Sequence, residues 1–345
     1  MAEVKDHSGS VAVPCVPVID FTAYSLDKAE PDQSKFNLLV DKIHEALTTI
    51  GFFYLENVGI PDEVIKSAFE VSKRFFTSSN KIKAKYKSGE WIRDSFHGYV
   101  PLDMEGLGPD SKRKDLKESF NIRPAIKETE EFLPFVVPFD QISNKFPEIA
   151  EVPGMKGALC ELFSYCRKLH QRVLEVMTKG LQLKDPMAIL KNCQKIGTVN
   201  NPTTLRTLFY PAVESESERI DQVRCGEHTD YGAVTFLFQD ASGGLEVQNV
   251  HGQWVTATPI EGTVLVNIGD LMQRWTSDVY IAAKHRVTFP SGSSKTLLNS
   301  PRQSIAFFGN PDDDAIIECL DGSGKYPPVS APDYIYNRAT ESHSK

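Results

Sequence analysis

Thr204-Leu205-Arg206-Thr207-Leu208-Phe209-Tyr210 opens a stretch in which short apolar runs alternate with Gly, Pro, Asp and Ser, and this stretch decides the fold. Val234 to Phe238, Leu245 to Gln248, Gln253 to Thr256, Val264 to Ile268, Ile281 to Phe289 and Gln303 to Phe308 continue the pattern. Short runs rich in β-branched and aromatic residues, each closed by turn formers, read as strands. Their spacing predicts an all-β core of the jelly-roll or related sandwich type, whose two sheets enclose a pocket that side chains alone need not fill.

Upstream of residue 203 the periodicity is different. Phe36, Leu39, Val40, Ile43, Leu47 and Ile50 recur at helical spacing up to Gly51, and Phe52-Phe53-Tyr54-Leu55 follows as a buried strand. Pro61 marks a second helix start, with Asp62 and Glu63 in the first turn and Val64, Ile65, Ala68, Phe69, Phe75 and Phe76 on the apolar side. Leu159, Leu162, Phe163, Cys166, Leu169, Val173, Val176, Met177 and Leu181 predict a long helix over about 155–182. Val16 to Phe21 reads as a short strand, and residues 77–118 as loops with short elements.

The expected architecture is mostly β with an α/β N-terminal region, a double-stranded β-helix (jelly-roll) core flanked by helices. The expected divisions are a loose tail at 1–14, an N-terminal helical and α/β region at 15–195, the jelly-roll core at 196–311, and a C-terminal segment at 312–345. The acidic runs Glu214 to Glu218 and Asp312 to Asp314 read as solvated loops.

Composition narrows the function. With 345 residues, 41% of them hydrophobic and 24% charged, the chain has the make-up of a soluble globular protein. A net charge of −8 repels phosphate backbones and acidic membrane surfaces, so neither nucleic acid nor a membrane is expected as a partner. Six scattered cysteines without a CxxC pair indicate neither a zinc knuckle nor a disulfide framework, which points to a reducing, cytoplasmic setting. The first 14 residues hold no apolar segment of the signal-peptide kind, and no run approaches the ~18 apolar residues of a membrane span. No GxSxG elbow occurs, Gly324-Lys325 lacks the upstream glycine of a phosphate loop, and Gly106-Leu107-Gly108 does not complete a dinucleotide fingerprint. Metal chemistry remains.

His228-Thr229-Asp230 places an imidazole and a carboxylate two residues apart, on one face of an extended segment. Taken alone the pair fits a surface turn equally well. His285, in a strand-like run on the far side of the β region, supplies a third donor. Two imidazoles and one carboxylate leave about three positions open on an octahedral ion, the arrangement of mononuclear non-haem Fe(II) oxygenases. Zinc tolerates the same ligands but serves only hydrolysis or structure. His44 and His170 read as helix residues, and His7, His97, His251 and His343 as loop or tail residues.

Arg302-Gln303-Ser304 follows 17 residues past His285. In a strand Arg302 and Ser304 face the same way, and a guanidinium fork with a hydroxyl suits a buried carboxylate. A strand-end Arg pairing with a structural acid is the other reading.

Pro17 to Phe21, Gly51 to Pro61, Tyr210-Pro211, His228-Thr229-Asp230-Tyr231-Gly232, Val266-Asn267-Ile268-Gly269-Asp270, His285-Arg286-Val287 and Arg302-Gln303-Ser304 occur in an order that resembles the Fe(II)/2-oxoglutarate-dependent dioxygenases of the isopenicillin-N-synthase-like branch. The resemblance runs from about residue 16 to 311. It implies that His228, Asp230 and His285 are iron ligands and that Arg302 and Ser304 bind the distal carboxylate of 2-oxoglutarate, joined by the Tyr210 hydroxyl. Leu208 departs from the pattern, since plant relatives often carry Asn two residues before that tyrosine. Asn267 resembles a supporting residue near the metal. Phe308 and Asn310 match positions that can face substrate, a core Phe and a turn Asn being the plainer readings. Loops around Phe96 to Tyr99 and Ser119 to Asn121 are candidates for closing the mouth.

The implied cofactors are Fe(II), with 2-oxoglutarate as co-substrate and ascorbate as an optional reductant. The implied reaction couples oxidative decarboxylation of 2-oxoglutarate to succinate and CO2 with hydroxylation, desaturation or cyclisation of a small organic substrate by dioxygen. A same-fold oxidase that does not consume 2-oxoglutarate, or a catalytically silent protein that binds metal or small molecules, would carry many of the same residues.

Overall fold

Helix α1 (Gln33–Thr49) begins where the sequence supplies a cap, the Asp32 carboxylate accepting the Ser34 backbone N–H at 3.1 Å. Its buried face is Phe36, Leu39, Val40, Ile43, Ala46 and Leu47. The chain turns out of the helix at Gly51, whose φ of +74° is left-handed and where a Cβ would lie 2.2 Å from the Ile281 carbonyl oxygen. Strand β2 (Phe52–Glu56) follows at once. Helix α2 (Asp62–Phe76) carries Asp62 and Glu63 in its first turn and Lys73 and Arg74 in its last, the order that complements the helix dipole. Helix α4 (Met155–Gly180) buries Leu159, Leu162, Phe163, Leu169, Val173 and Met177. The computed structural model describes residues 16–88, 97–102, 104–107, 114–123, 145–213, 223–289 and 300–343. The tail at 1–14 and the acidic run at 214–218 lie outside them.

Two sheets make the core. The larger has the order β1-β2-β10-β7-β12-β5-β4-β3 and draws on both halves of the chain. Its members are β1 (Val18–Asp20), β3 (Gly98–Val100), β4 (Glu118–Ile122), β5 (Thr204–Tyr210), β7 (Val234–Gln239), β10 (Thr263–Ile268) and β12 (Arg302–Gly309), with β2. The smaller, of order β6-β11-β8-β9, is built from β6 (Cys225–His228), β8 (Leu245–Gln248), β9 (Trp254–Thr256) and β11 (His285–Val287). Apart from the parallel β1–β2 pair, the neighbours in both sheets are antiparallel.

Period-two alternation gives the large sheet two different faces. Phe53, Leu55, Phe236, Phe238, Ile305 and Phe307 join the helices in one apolar core. A fully buried Phe there contributes about 1.5–3 kcal/mol relative to an exposed one. The intervening residues Phe52, Tyr54, Leu265, Leu208, Tyr210 and Ala306 turn the other way and pack on Cys225, Leu245, Val247 and Val287 of the small sheet. The space between the sheets is where the predicted site residues meet.

Four stretches differ from the sequence reading, and the first is Ser119 to Asn121, offered as part of a loop closing the mouth but buried in strand β4. Only His285–Val287 of the run Ile281 to Phe289 is strand, because Ile281 N–H is taken by Leu47 O (3.0 Å) and Ala282 N–H by Gln273 Oε1 (2.7 Å). Asp312 is buried rather than solvated, its carboxylate accepting the Gln194 and Lys195 backbone N–H groups and the Asn201 side-chain amide. The C-terminal segment contains a helix, Ala331–His343, which becomes α6 after α3 (Asn80–Lys85) and α5 (Asp270–Trp275).

Candidate active site

Strands β6 and β11 are antiparallel neighbours with His285 paired to His228, so both imidazoles project from one side of the small sheet, ring centroids 4.2 Å apart. Asp230 lies just beyond the end of β6, held by its own carbonyl, which accepts the Asp270 N–H at 2.8 Å. One of its carboxylate oxygens, Oδ1, stands 4.0 Å from His228 Nε2 and 3.7 Å from His285 Nε2.

The remaining polar atoms of the three side chains are already engaged. His228 Nδ1 is 2.8 Å from the Gly226 carbonyl and His285 Nδ1 is 3.2 Å from that of Ala283, contacts that place the ring proton on Nδ1 and leave Nε2 as a lone-pair donor. Asn267 donates its amide to Asp230 Oδ2 at 2.7 Å, which leaves Oδ1 toward the imidazoles. Burial, and then the facing His285, push the His228 imidazole down to about 3, so it is neutral at physiological pH. Burial raises the Asp230 carboxyl, but the imidazoles and the Thr235 and Asn267 hydrogen bonds outweigh it and hold it below the usual range. Two neutral nitrogens and one carboxylate, mutually within 4.8 Å, can hold a divalent ion on one side and leave the other open. His228, Asp230 and His285 are the one such group among the described residues.

The second predicted constellation also assembles. On β12 Arg302 and Ser304 share the inner face, and β5 places Tyr210 directly opposite Arg302 and Leu208 opposite Ser304. Arg302 is 1% exposed, donates to Ser304 Oγ at 3.2 Å and to Gln239 Oε1 at 3.1 Å, and lies 4.8 Å from the centre of the Tyr210 ring. Among the described residues no carboxylate pairs with it, and its Nε makes no hydrogen bond. A buried guanidinium with only neutral neighbours requires an anion from outside the protein.

A cavity of about 200 Å³ adjoins the group of His228, Asp230 and His285, with His228 and Asp230 among its lining residues. Phe308 and Asn310 line it. Arg302, Ser304 and Tyr210 are not among its lining residues. Several other residues in its wall were not singled out from the sequence, although His97 and Asn121 fall in the two stretches offered there as candidates for closing the mouth. Arg206 sits two and four steps before Leu208 and Tyr210 on the same face of β5, a position that alternation alone could have flagged. Asn121 pairs with it across β4, and Glu105 comes from the loop after β3. His97, read as a plain loop residue, is buried in the wall. The far wall is α6, through Pro332, Ile335, Tyr336 and Ala339. Arg338 ties that helix to Asp270 at 3.0 Å and to Thr229, between two candidate ligands, at 3.4 Å.

Residues 199–311 match the sequence model of the 2OG-Fe(II) oxygenase superfamily, and residues 16–146 match that of the non-haem dioxygenase in morphine synthesis N-terminal family. Proline hydroxylase buaE of Petromyces alliaceus is 32% identical over 309 residues, 88% of this chain and 89% of that one. The chain belongs to the 2OG-Fe(II) oxygenase superfamily. A second relative of this oxygenase, the 2-oxoglutarate-dependent dioxygenase htyE of Aspergillus rugulosus, is 29% identical over 318 residues, 88% of this chain and 90% of that one. The crystal structure of full-length Neurospora crassa T7H in complex with alpha-KG and thymine superimposes with a TM-score of 0.79 at 30% identity, over 94% of this chain and 96% of that one. The oxygenase is an Fe(II)/2-oxoglutarate-dependent dioxygenase with a jelly-roll core, and its cofactors are Fe(II) and 2-oxoglutarate.

Proposed function

We propose that His228, Asp230 and His285 hold the Fe(II) of this oxygenase, that Arg302, Ser304 and Tyr210 bind the distal carboxylate of 2-oxoglutarate, and that the cavity lined by Phe308 and Asn310 receives the small-molecule substrate. The observation that carries this reading is Asp230 Oδ1 standing 4.0 and 3.7 Å from two Nε2 atoms whose rings are fixed by backbone carbonyls.

Bound there, iron and 2-oxoglutarate supply the oxidative decarboxylation that yields succinate and CO2 and oxidises a C–H bond of the substrate with dioxygen. The chain's own residues do the positioning. Asn267 turns Asp230, and Arg302 with Ser304 fixes one end of the co-substrate by two-point recognition. Burial raises the Tyr210 hydroxyl above its ordinary range despite the nearby Arg302, so it stays protonated and can donate to a carboxylate. Phe308, Ile335 and Tyr336 shield the floor of the cavity from bulk water. Leu208, opposite Ser304, presents a methyl surface where an amide stands in plant relatives, so the carboxylate grip falls to Arg302, Ser304 and Tyr210 alone.

The net charge of −8 supports a small molecule rather than nucleic acid as the partner. Free thiols at Cys160, Cys166, Cys193, Cys225 and Cys319 support a reducing, cytoplasmic setting. Among the described residues no helix is long and apolar enough to cross a membrane.

Anaerobic addition of Fe(II) and then 2-oxoglutarate tests the assignment, the expected result being a weak visible charge-transfer band. His228→Ala and Asp230→Ala are expected to abolish the band. A band of undiminished intensity in either variant refutes the ligand set.

A further inference from the structure

The cavity contains several charges, yet each side chain that carries one is already matched. Arg206 Nη1 lies 3.3 Å from each carboxylate oxygen of Glu105, and Glu105 also faces Lys117 at 3.4 Å. Lys117 is in turn 2.8 Å from Asp115, whose other oxygen accepts the Gly226 N–H. Arg123 is 3.6 Å from Asp313 and donates to the backbone carbonyls of Val199 and Asn201. A charged ligand entering this chamber meets no opposite charge that is unspoken for, and an unpaired buried charge is costly.

What the chamber leaves open is hydrogen-bonding capacity of a neutral kind. Asn121 accepts from Arg206 Nε at 2.7 Å through Oδ1, which fixes the amide orientation, and its Nδ2, in a side chain 2% exposed, has no hydrogen-bond partner. Arg206 Nη2, on the same cavity wall, donates to nothing among the described residues. Asn310 spends its Nδ2 on the Pro202 and Phe308 carbonyls, so its Oδ1 faces the cavity beside Gly232 as an unused acceptor. Phe308 lines the same cavity, with the Arg206 guanidinium 5.9 Å from the centre of its ring.

We propose that the oxygenase acts on an uncharged cyclic amide or imide, its carbonyl oxygen accepting from Asn121 Nδ2 and Arg206 Nη2, its ring N–H donating to Asn310 Oδ1, and its ring plane lying on Phe308. This rests on the reading of the cavity as the substrate chamber. Zwitterionic amino acids and carboxylated rings are excluded by the matched charges, and purely apolar molecules by the orphaned Asn121 donor. Glu105 is a positioning residue in this scheme, since it cancels the charge of Arg206 while leaving its outer N–H groups free.

The test is calorimetry on the protein loaded anaerobically with Mn(II) and 2-oxoglutarate, titrated with thymine, uracil, 2-pyrrolidinone, orotate and L-proline. At least one neutral amide is expected to bind ten times more tightly than orotate or L-proline. Asn121→Leu should weaken that amide about 10- to 100-fold, the loss for one hydrogen bond to a buried donor of this kind. Glu105→Gln should move preference toward orotate at least tenfold by releasing the charge of Arg206, a gain that a misfolded variant cannot give. Tighter binding of orotate or L-proline by the parent protein, no binding of any neutral amide, or unchanged affinity in Asn121→Leu overturns the proposal. The visible band with Fe(II) and 2-oxoglutarate separates these failures from a failure of the metal assignment, because it forms without substrate.

Discussion

Asn267→Leu is the sharpest perturbation of the proposed metal-binding group that leaves all three proposed donor side chains in place. The Asn267 amide donates to Asp230 Oδ2 over 2.7 Å, and both side chains are buried, Asn267 at 2% and Asp230 at 7% exposure. A hydrogen bond to a charged group is worth about 1.5–3 kcal/mol, and about 1.4 kcal/mol is a factor of ten in affinity. Part of the loss is recovered, because Thr235 also hydrogen-bonds Asp230. The expected result is a 10- to 100-fold weaker affinity for divalent metal, the range typical of partners that orient metal ligands. Leucine keeps the same branched heavy-atom skeleton, and its place on β10 between Thr235 and Phe52 is compatible with an apolar residue, so the fold should survive. The assay is competitive Mn(II) titration of the metal-free protein followed by electron paramagnetic resonance, with thermal melting as the control for folding. A melting temperature close to the parent's combined with metal affinity within threefold of the parent's would show that Asp230 is oriented by something else.

Arg302→Gln should weaken 2-oxoglutarate by on the order of a hundredfold while leaving metal affinity within threefold, as equilibrium titration of each can show, because the guanidinium touches Ser304 and Gln239 but none of the three proposed metal donors. His170, buried in α4 against Phe236 and Phe307, has its imidazole pushed down to about 3 by burial. Its folded value lies below the ordinary 6.5, so the stability it permits is intact above pH 6.5 and falls by about 1.4 kcal/mol per pH unit as the pH drops toward 3. His170→Met should therefore flatten the pH dependence of the urea midpoint between pH 6.5 and 4, and an unchanged slope would count against a neutral buried imidazole. Removal of residues 331–345 strips the cavity of Pro332, Ile335, Tyr336 and Ala339 and deprives Asp270 of Arg338. Succinate release is then expected to uncouple from substrate oxidation while the visible band persists, which parallel measurement of succinate and product checks.

Much of the β core was legible because most of its strands are bounded by turn residues, whereas β3, β4 and β6 were not read as strands. Thr204–Tyr210 and Leu245–Gln248 fall where the sequence places them, and the three donors needed only the i, i+2 rule and one long-range partner. The rest depended on pairing that no local pattern encodes. Asn121 and Arg206 are 85 residues apart and meet because β4 lies beside β5. Glu105 acquires its role from Arg206 and Lys117, and Asp312 is buried only because residues 194, 195 and 201 bring donors to it. Helix α6 escaped notice for a different reason. Its residues Asp333, Asn337, Arg338, Thr340 and Glu341 dilute the apolar period, since only Ala331, Tyr334 and Ile335 meet the core while Tyr336 and Ala339 line the cavity.

Strand β12 sits between the helical core and the chamber, and neighbouring letters along it answer to separate demands. Ile305 and Phe307 are held by close packing with the helices, where a lost methylene is felt as lost stability. Ser304, Ala306 and Phe308 alternate with them and look into the space between the sheets. A descendant of this protein can therefore explore new ligands at Phe308, the residue of this face that lines the chamber, while Ile305 and Phe307 keep the helical core intact, and a laboratory library confined to that position should stay soluble while its preferences diverge.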